Sequence, residues 1–308
     1  MFDFRNLAIA LLFALVVPAV WASDQSIELT DDRGATMRLS TAATQPAAIS
    51  TFGADVSLAL GVVPVAVTDY GLQGVPDYLS DQLKGVPTLG PRHQPNLEIL
   101  SKLSPDLVIA IRRYTEKDGA HLESIAPLLA LDLISLSDSL RAVELAGQAL
   151  GAHEKAIKLN AHFLERIDEL SALRKEKPAT TIALLTSGSE TPFIYYEHFL
   201  ATALLGKLGF NSIGGALENP EEGIPLGYRV SLEALLELNP DIILMLPTSR
   251  QRAFTMNPVW PYLQAVQNDR VFEVPHYWKE GAGPIARERI LDDIERLLLN
   301  NPENSPET

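Results

Sequence analysis

The chain has 308 residues, no cysteine and a formal net charge of −14, with 25 Lys and Arg against 39 Asp and Glu. That balance excludes nucleic acid as a partner, because such binding rests largely on phosphate neutralisation; the missing cysteine excludes disulfides, thiolate metal sites and a lipid-modified N-terminal Cys. With 46% hydrophobic residues, extended disorder is excluded away from the ends, and the length suits two cores better than one.

The N-terminus predicts the compartment. Arg5, with Asp3 beside it, precedes an unbroken apolar run from Leu7 to Val17; Pro18 breaks the run, and Val20-Trp21-Ala22 offers a cleavage pattern. This is the three-part form of a secretory signal peptide, and the run is short against the ~20 residues of a spanning helix. Residues 1–22 are therefore expected to be a leader, with Ser23 the mature start and the periplasm the destination. No later segment is long and apolar enough to span a bilayer.

In chain order, residues 23–136 predict an N-terminal α/β lobe with strands over 47–50, 63–68, 88–89 and 107–111. Residues 137–177 predict linking helices: Ser137-Asp138 is a candidate N-cap, and Leu159, Phe163, Ile167 and Leu170 share one helical face, with a break near Gly151. Residues 178–299 predict a second α/β lobe with strands over 181–186, 211–213, 242–246 and 270–274. Residues 300–308 are polar, contain Pro and read as a flexible tail. The fold class is α/β, two Rossmann-like lobes with mostly parallel sheets joined by a long interdomain helix. A helical bridge resists bending, so limited closure of the intervening cleft is expected.

An internal repeat supports the two lobes. Leu97-Glu98-Ile99-Leu100 through Ser104-Pro105-Asp106-Leu107 aligns with Leu232-Glu233-Ala234-Leu235 through Asn239-Pro240-Asp241-Ile242. Each copy predicts a short amphipathic helix, a Pro that stops it, and a buried strand. Leu58 to Val62 likewise resembles Leu204 to Phe210, a helix ended by Gly. Glu98 and Glu233 occupy the same slot. Helix-dipole stabilisation accounts for both, and so does a pair of contacts for a membrane partner with symmetric basic pockets.

Ligands of open parallel sheets sit at the carboxyl ends of strands. The loops expected there carry Phe52, Tyr70, Arg92, Arg112, Arg113 and Tyr114 in the first lobe, and Tyr195, Tyr228, Arg229, Arg250, Tyr277, Trp278 and Lys279 in the second. Six cations then face one acid, Asp69, in a strongly acidic chain. Guanidinium groups and aromatic faces together suit a bulky, anionic, partly flat ligand.

Other chemistries lack their residues. The six His show no metal-ligand spacing, so no direct metal site and no cofactor are expected. Gly281 to Ala286 imitates a dinucleotide fingerprint but lies near the C-terminus with no strand–helix–strand unit after it. Ser212 lacks the preceding Gly of a nucleophile elbow. No enzyme is expected; a secreted hydrolase acting on an anionic ester is the alternative and would need an activated nucleophile.

Gln94-Pro95-Asn96-Leu97-Glu98, Leu103 to Ile109, Ile125-Ala126-Pro127, and Val230-Ser231-Leu232-Glu233 through Asn239-Pro240-Asp241 resemble the class III periplasmic binding proteins of iron-chelate, haem and cobalamin importers. The resemblance runs from Thr30-Asp31-Asp32-Arg33-Gly34 to Arg287-Glu288-Arg289-Ile290. Gly90 to Pro95, Asn257-Pro258-Val259-Trp260, and Trp278 followed by Glu288-Arg289-Ile290 look most like the ferric-citrate-binding members, and His276-Tyr277-Trp278 also resembles the catecholate binders. Lys279-Glu280-Gly281 differs from the ferric-citrate members, which carry arginines just after that Trp. The resemblance implies a monomer with a shallow cleft for an Fe(III)-siderophore, of ferric-citrate or another carboxylate or catecholate type, delivered to an ABC transporter permease. It also implies that Glu98 and Glu233 dock onto permease arginines. A haem or cobalamin-type ligand is the alternative within the family, with Tyr114 or His93 then available to a metal.

Overall fold

The computed structural model describes residues 26–69, 74–115, 118–186, 190–217, 225–248 and 252–300. Residues 1–22, expected to be a leader, Tyr70, Arg250 and all but the first residue of the expected tail lie outside the described residues. Strands β1 (Ile27–Thr30) and β2 (Thr36–Leu39) form a hairpin, followed by β3 (Pro46–Ile49), helix α1 (Thr51–Leu60), β4 (Ala66–Asp69) and β5 (Thr88–Pro91). Then come α2 (Leu97–Leu103), β6 (Leu107–Ile111), α3 (Arg112–Thr115), α4 (Gly119–Glu123) and β7 (Leu128–Leu131). Two helices follow, α5 (Leu136–Ala149) and α6 (His153–Ala172). The second half contains β8 (Thr180–Thr186), β9 (Phe193–Tyr195), α7 (Leu200–Lys207), β10 (Phe210–Ser212), β11 (Gly227–Arg229) and α8 (Leu232–Leu238). It ends with β12 (Ile242–Met245), α9 (Gln264–Gln267), β13 (Val271–Glu273), α10 (Tyr277–Glu280) and α11 (Pro284–Ile294).

The first sheet runs β5-β4-β3-β6-β7, all parallel. The second runs β11-β9-β8-β12-β13, with β10 beside the start of β8. Its β8, β10, β12 and β13 are parallel, while β9 and β11 are antiparallel additions at one edge. Every residue of β3, β6, β7 and β12 is buried, as expected of strands covered on both faces. All eight strands expected from the sequence form. The hairpin, β7, β9 and β11 were not expected. β7 escapes because Leu128-Leu129-Ala130-Leu131 has no β-branched residue and runs on toward an amphipathic helix.

The repeat is realised in atomic detail. α2 and α8 are both seven residues long, and each ends on a non-glycine residue in the left-handed region, Ser104 at φ 47° and Asn239 at φ 39°. Pro105 and Pro240 follow, and then an Asp that ties down the start of the neighbouring strand. Asp106 accepts the Thr44 and Gln45 N–H groups at 2.7 and 2.9 Å. Asp241 accepts the Thr181 N–H at 2.7 Å. The Pro-Asp pair thus stops a helix and satisfies strand-end donors that a parallel sheet leaves unpaired.

α5 and α6 form an antiparallel hairpin between the sheets. Its N-cap is Ser135 in a reciprocal capping box with Asp138, two residues before the expected Ser137: the box needs its acid at the third helical position. Gly151 turns the chain at φ 67°, and a Cβ on Gly147 would come within 2.4 Å of Ala156 Cβ, so glycine there lets the two helices touch. Phe163, Ile167 and Leu170 are buried along α6.

α11 belongs to the second half of the chain but packs on α1 of the first. Asp55, fully buried in α1, accepts the Ile285 and Ala286 N–H groups of its first turn at 2.8 and 2.9 Å, and the Tyr78 hydroxyl at 3.0 Å. A Cβ on Gly283 would fall 2.2 Å from Asp55 Cγ, which is why the residue before this turn has no side chain. Arg287, 0% exposed, donates to Asn160 Oδ1 at 2.8 Å and the Leu159 carbonyl at 3.2 Å, and lies over the Phe163 ring at 4.3 Å. Ser139 donates to the Ala282 carbonyl at 2.6 Å. The two halves are therefore stitched along one buried seam.

Candidate functional site

Beside that seam the carboxyl ends of the two sheets face one another. α10 follows β13 and carries Glu280 across to the first half. Its carboxylate pairs with Arg92 at 2.5 Å and accepts the Thr51 hydroxyl at 2.9 Å. The two charged side chains are only 17% and 9% exposed. Arg92 also donates to the Tyr114 hydroxyl at 3.3 Å and lies 4.5 Å above that ring, with Arg113 5.0 Å from the same ring. Arg113 and Lys279, one from each half and both exposed, line the same small hollow with Phe52, Phe199, Glu280 and Ala282.

A larger cavity of about 860 Å³ opens next to this cluster, bounded by Asp77, Tyr78, Asp81, His276, Tyr277 and Arg289, with Pro76, Pro247 and Pro275 among its walls. Tyr78 and Tyr277 meet edge-to-face at 5.5 Å, and Arg289 lies 5.8 Å from the Tyr78 ring. His276 belongs to this wall and also senses the charges of Glu280, Lys279 and Arg92. Burial is the main reason that its pKa falls below the ordinary imidazole value. A neutral ring there keeps hydrogen-bonding capacity without adding charge.

The predicted residues divide by surroundings. Arg113, Tyr114 and Lys279 stand around the Arg92–Glu280 pair. Arg112 is bound to Asp132 at 2.9 Å across neighbouring strand ends. Expecting Asp69 as the only acid among these loops was therefore incorrect: Asp132 and Glu280 stand there too, brought in by β7 and α10. Tyr277 lines the cavity and spends its hydroxyl on Asp293 at 2.6 Å. Trp278 is buried and donates its indole N–H to the same carboxylate at 2.9 Å. Phe52 and Tyr195 are buried as well, Tyr195 against Phe199 at 4.5 Å between ring centres. Burial holds the Tyr195 hydroxyl far above its ordinary pKa, so it stays protonated. These three rings build the wall from behind and present little face to solvent.

Tyr228 and Arg229 lie on β11, whose register sets Arg229 opposite Phe193, level with Thr186 at the carboxyl end of β8. Arg229 is exposed and donates to the Thr191 carbonyl at 3.4 Å. Tyr228 packs beside Tyr196 at 5.3 Å. Glu98 and Glu233 are both exposed in the first turns of α2 and α8, matched positions on the two halves.

Sequence reasoning placed Thr51 in a strand-end loop without a role and passed over Asp77, Tyr78, Glu280 and Arg289 as site residues. The available signal was Asp77-Tyr78 in the long connection between β4 and β5, too long for a simple turn. Glu280 gave none, because its partners are distant in sequence. Among the described residues no group of three or more His, Asp or Glu could hold a metal ion, and no helix is long and apolar enough to cross a membrane.

The sequence profile of the periplasmic binding protein family matches residues 47–277, well over half of the chain. The chain belongs to that family, whose members are extracytoplasmic substrate-binding proteins of ABC transporters and not enzymes. It is 26% identical over 260 residues to the Fe(3+) dicitrate-binding periplasmic protein FecB of Escherichia coli, covering 81% of this chain and 83% of that one. To the "Probable siderophore-binding lipoprotein YfiY" of Bacillus subtilis it is 27% identical over 270 residues, 80% of each chain. Its fold matches that of Staphylococcus aureus SirA, crystallised with staphyloferrin B, at a TM-score of 0.74 and 22% identity over 88% of this chain and 98% of that one.

Proposed function

We propose that this protein captures a ferric siderophore in the periplasm, as a monomer released from its leader at Ser23, and hands it to an ABC transporter permease. The observation that carries this reading is the meeting of Arg113 and Lys279, from opposite halves, in one hollow, with Arg113 over the Tyr114 ring and a cavity of about 860 Å³ beside them. A ferric siderophore is bulky and rich in anionic oxygen. Guanidinium and ammonium groups attract those oxygens, and the rings of Tyr114, Tyr78 and Tyr277 suit its carbon frame. The iron enters as cargo with its coordination supplied by the chelate. Relatives named for ferric citrate and for siderophores support the same ligand class.

Glu98 and Glu233 are the permease contacts in this reading, as two exposed carboxylates on matched helices. The test joins binding to uptake. Protein fluorescence is titrated with ferric citrate, a ferric tris-catecholate, a ferric trihydroxamate and haemin, and iron uptake is followed in cells carrying Glu98→Ala with Glu233→Ala. Quenching by at least one ferric chelate, retained in the double variant while uptake is lost, is expected. Silence toward every ferric chelate, or a Soret shift with haemin alone, sinks the siderophore reading.

A further inference from the structure

Arg92 has the position of a ligand-binding cation, yet its charge is already answered from within the chain. Glu280 reaches it from the opposite half of the molecule, and the Thr51 hydroxyl steadies the same carboxylate. Both members of the pair are largely withdrawn from water, at 17% and 9% exposure. A pair so withdrawn from water is screened by salt much less than a surface ion pair. The cleft therefore offers an incoming anion less positive charge than its arginines suggest, and Arg113 and Lys279 are left as the exposed cations of the hollow.

We propose that Glu280 is the charge-selectivity determinant of this cleft, an internal carboxylate that fills the anion position on Arg92 and so favours chelates of low negative charge over polyanions. The inference rests on the ferric-siderophore reading and specifies which members of that class the site prefers. Its physical basis is competition. A chelate carboxylate or catecholate can reach the Arg92 fork only by displacing Glu280, or by lying beside it and meeting like-charge repulsion. An uncharged chelate has neither obstacle.

Glu280→Gln is the direct test. The amide keeps the size of the side chain and its carbonyl can still accept from Thr51, so packing is preserved while one negative charge disappears. Affinities are measured by calorimetry at two salt concentrations for ferric citrate, a ferric tris-catecholate and an uncharged ferric trihydroxamate. The variant is expected to bind the anionic chelates about tenfold more tightly, with a steeper salt dependence, and the uncharged one within about twofold of the parent. Thr51→Val, which removes the steadying hydroxyl and leaves the charge, is expected to move the same ratio in the same direction by less. If the parent binds a ferric chelate and Glu280→Gln leaves the anionic-to-neutral ratio unchanged, or weakens all chelates alike, Glu280 is a structural tie and the inference fails while the siderophore reading stands. If neither parent nor variant binds any ferric chelate, both fall.

Discussion

The seam and the cleft are built from the same residue types and use them in opposite ways. At the seam, Arg287 is fully buried and its guanidinium is fixed by Asn160 and the Leu159 carbonyl. Asp55 is equally buried, with two backbone N–H groups and a tyrosine hydroxyl converging on it. A few residues away in space, Arg113 is exposed and touches only the Tyr114 ring among the contacts described, while Lys279 reaches solvent from the facing half. Buried polar groups whose partners belong to the fold lock the two halves together; exposed ones with incomplete partners are available to a ligand. The difference lies in desolvation, which makes a buried charge costly unless its partners are already in place.

The largest effect should follow from breaking the seam. Arg287→Ala leaves Asn160 without its charged donor and a void beside Phe163, and is expected to lower unfolding stability by about 3 kcal/mol, read from urea midpoints. Arg287→Met, whose stem refills the space, should be milder. A loss as small as that of an exposed arginine would show that the seam does not hold the halves together.

Asp55 sharpens the contrast through pH. Burial raises its pKa from 3.8 to about 6, against the pull of the Ile285 and Ala286 N–H groups. A carboxyl that binds its proton more tightly folded than unfolded stabilises most below pH 4, and that contribution is lost as pH rises through 6. The shift amounts to about 3 kcal/mol across this window. Asp55→Asn cannot titrate, so its stability relative to the parent should improve by about that amount between pH 4 and pH 7. A constant difference across the range would mean that the three donors outweigh burial.

The smallest effect on stability belongs to the cleft. Arg113→Ala should change unfolding stability by less than about 0.5 kcal/mol. It should weaken an anionic ferric chelate roughly tenfold, the usual scale for one partly desolvated charged contact. Calorimetric titration beside a thermal melt separates the two. A destabilised variant with unaltered binding would move Arg113 from the ligand site to the scaffold.

Much of the scaffold was legible because its signals are local. Buried strands such as Leu107–Ile111 and Ile242–Met245 read as short apolar runs after Pro-Asp, and the recurrence of that unit disclosed two lobes before any contact was known. The cationic loops were legible by type and approximate place. Their electrostatic state was not, because Asp132 and Glu280 meet Arg112 and Arg92 through strand order and a helix arriving from the other half. Trp278 illustrates the same limit: sequence put it in a ligand loop, and packing turned its indole inward to Asp293.

By itself, then, the sequence determined the alternation of strands and helices, the doubled architecture and the kind of chemistry gathered at the strand ends, since periodicity, caps and Pro-Asp stops act within a few residues. Only the tertiary structure decided which charges are answered within the chain and which face solvent. Ion pairing and desolvation depend on distances between side chains that lie nearly two hundred positions apart in the case of Arg92 and Glu280, and no local pattern encodes them.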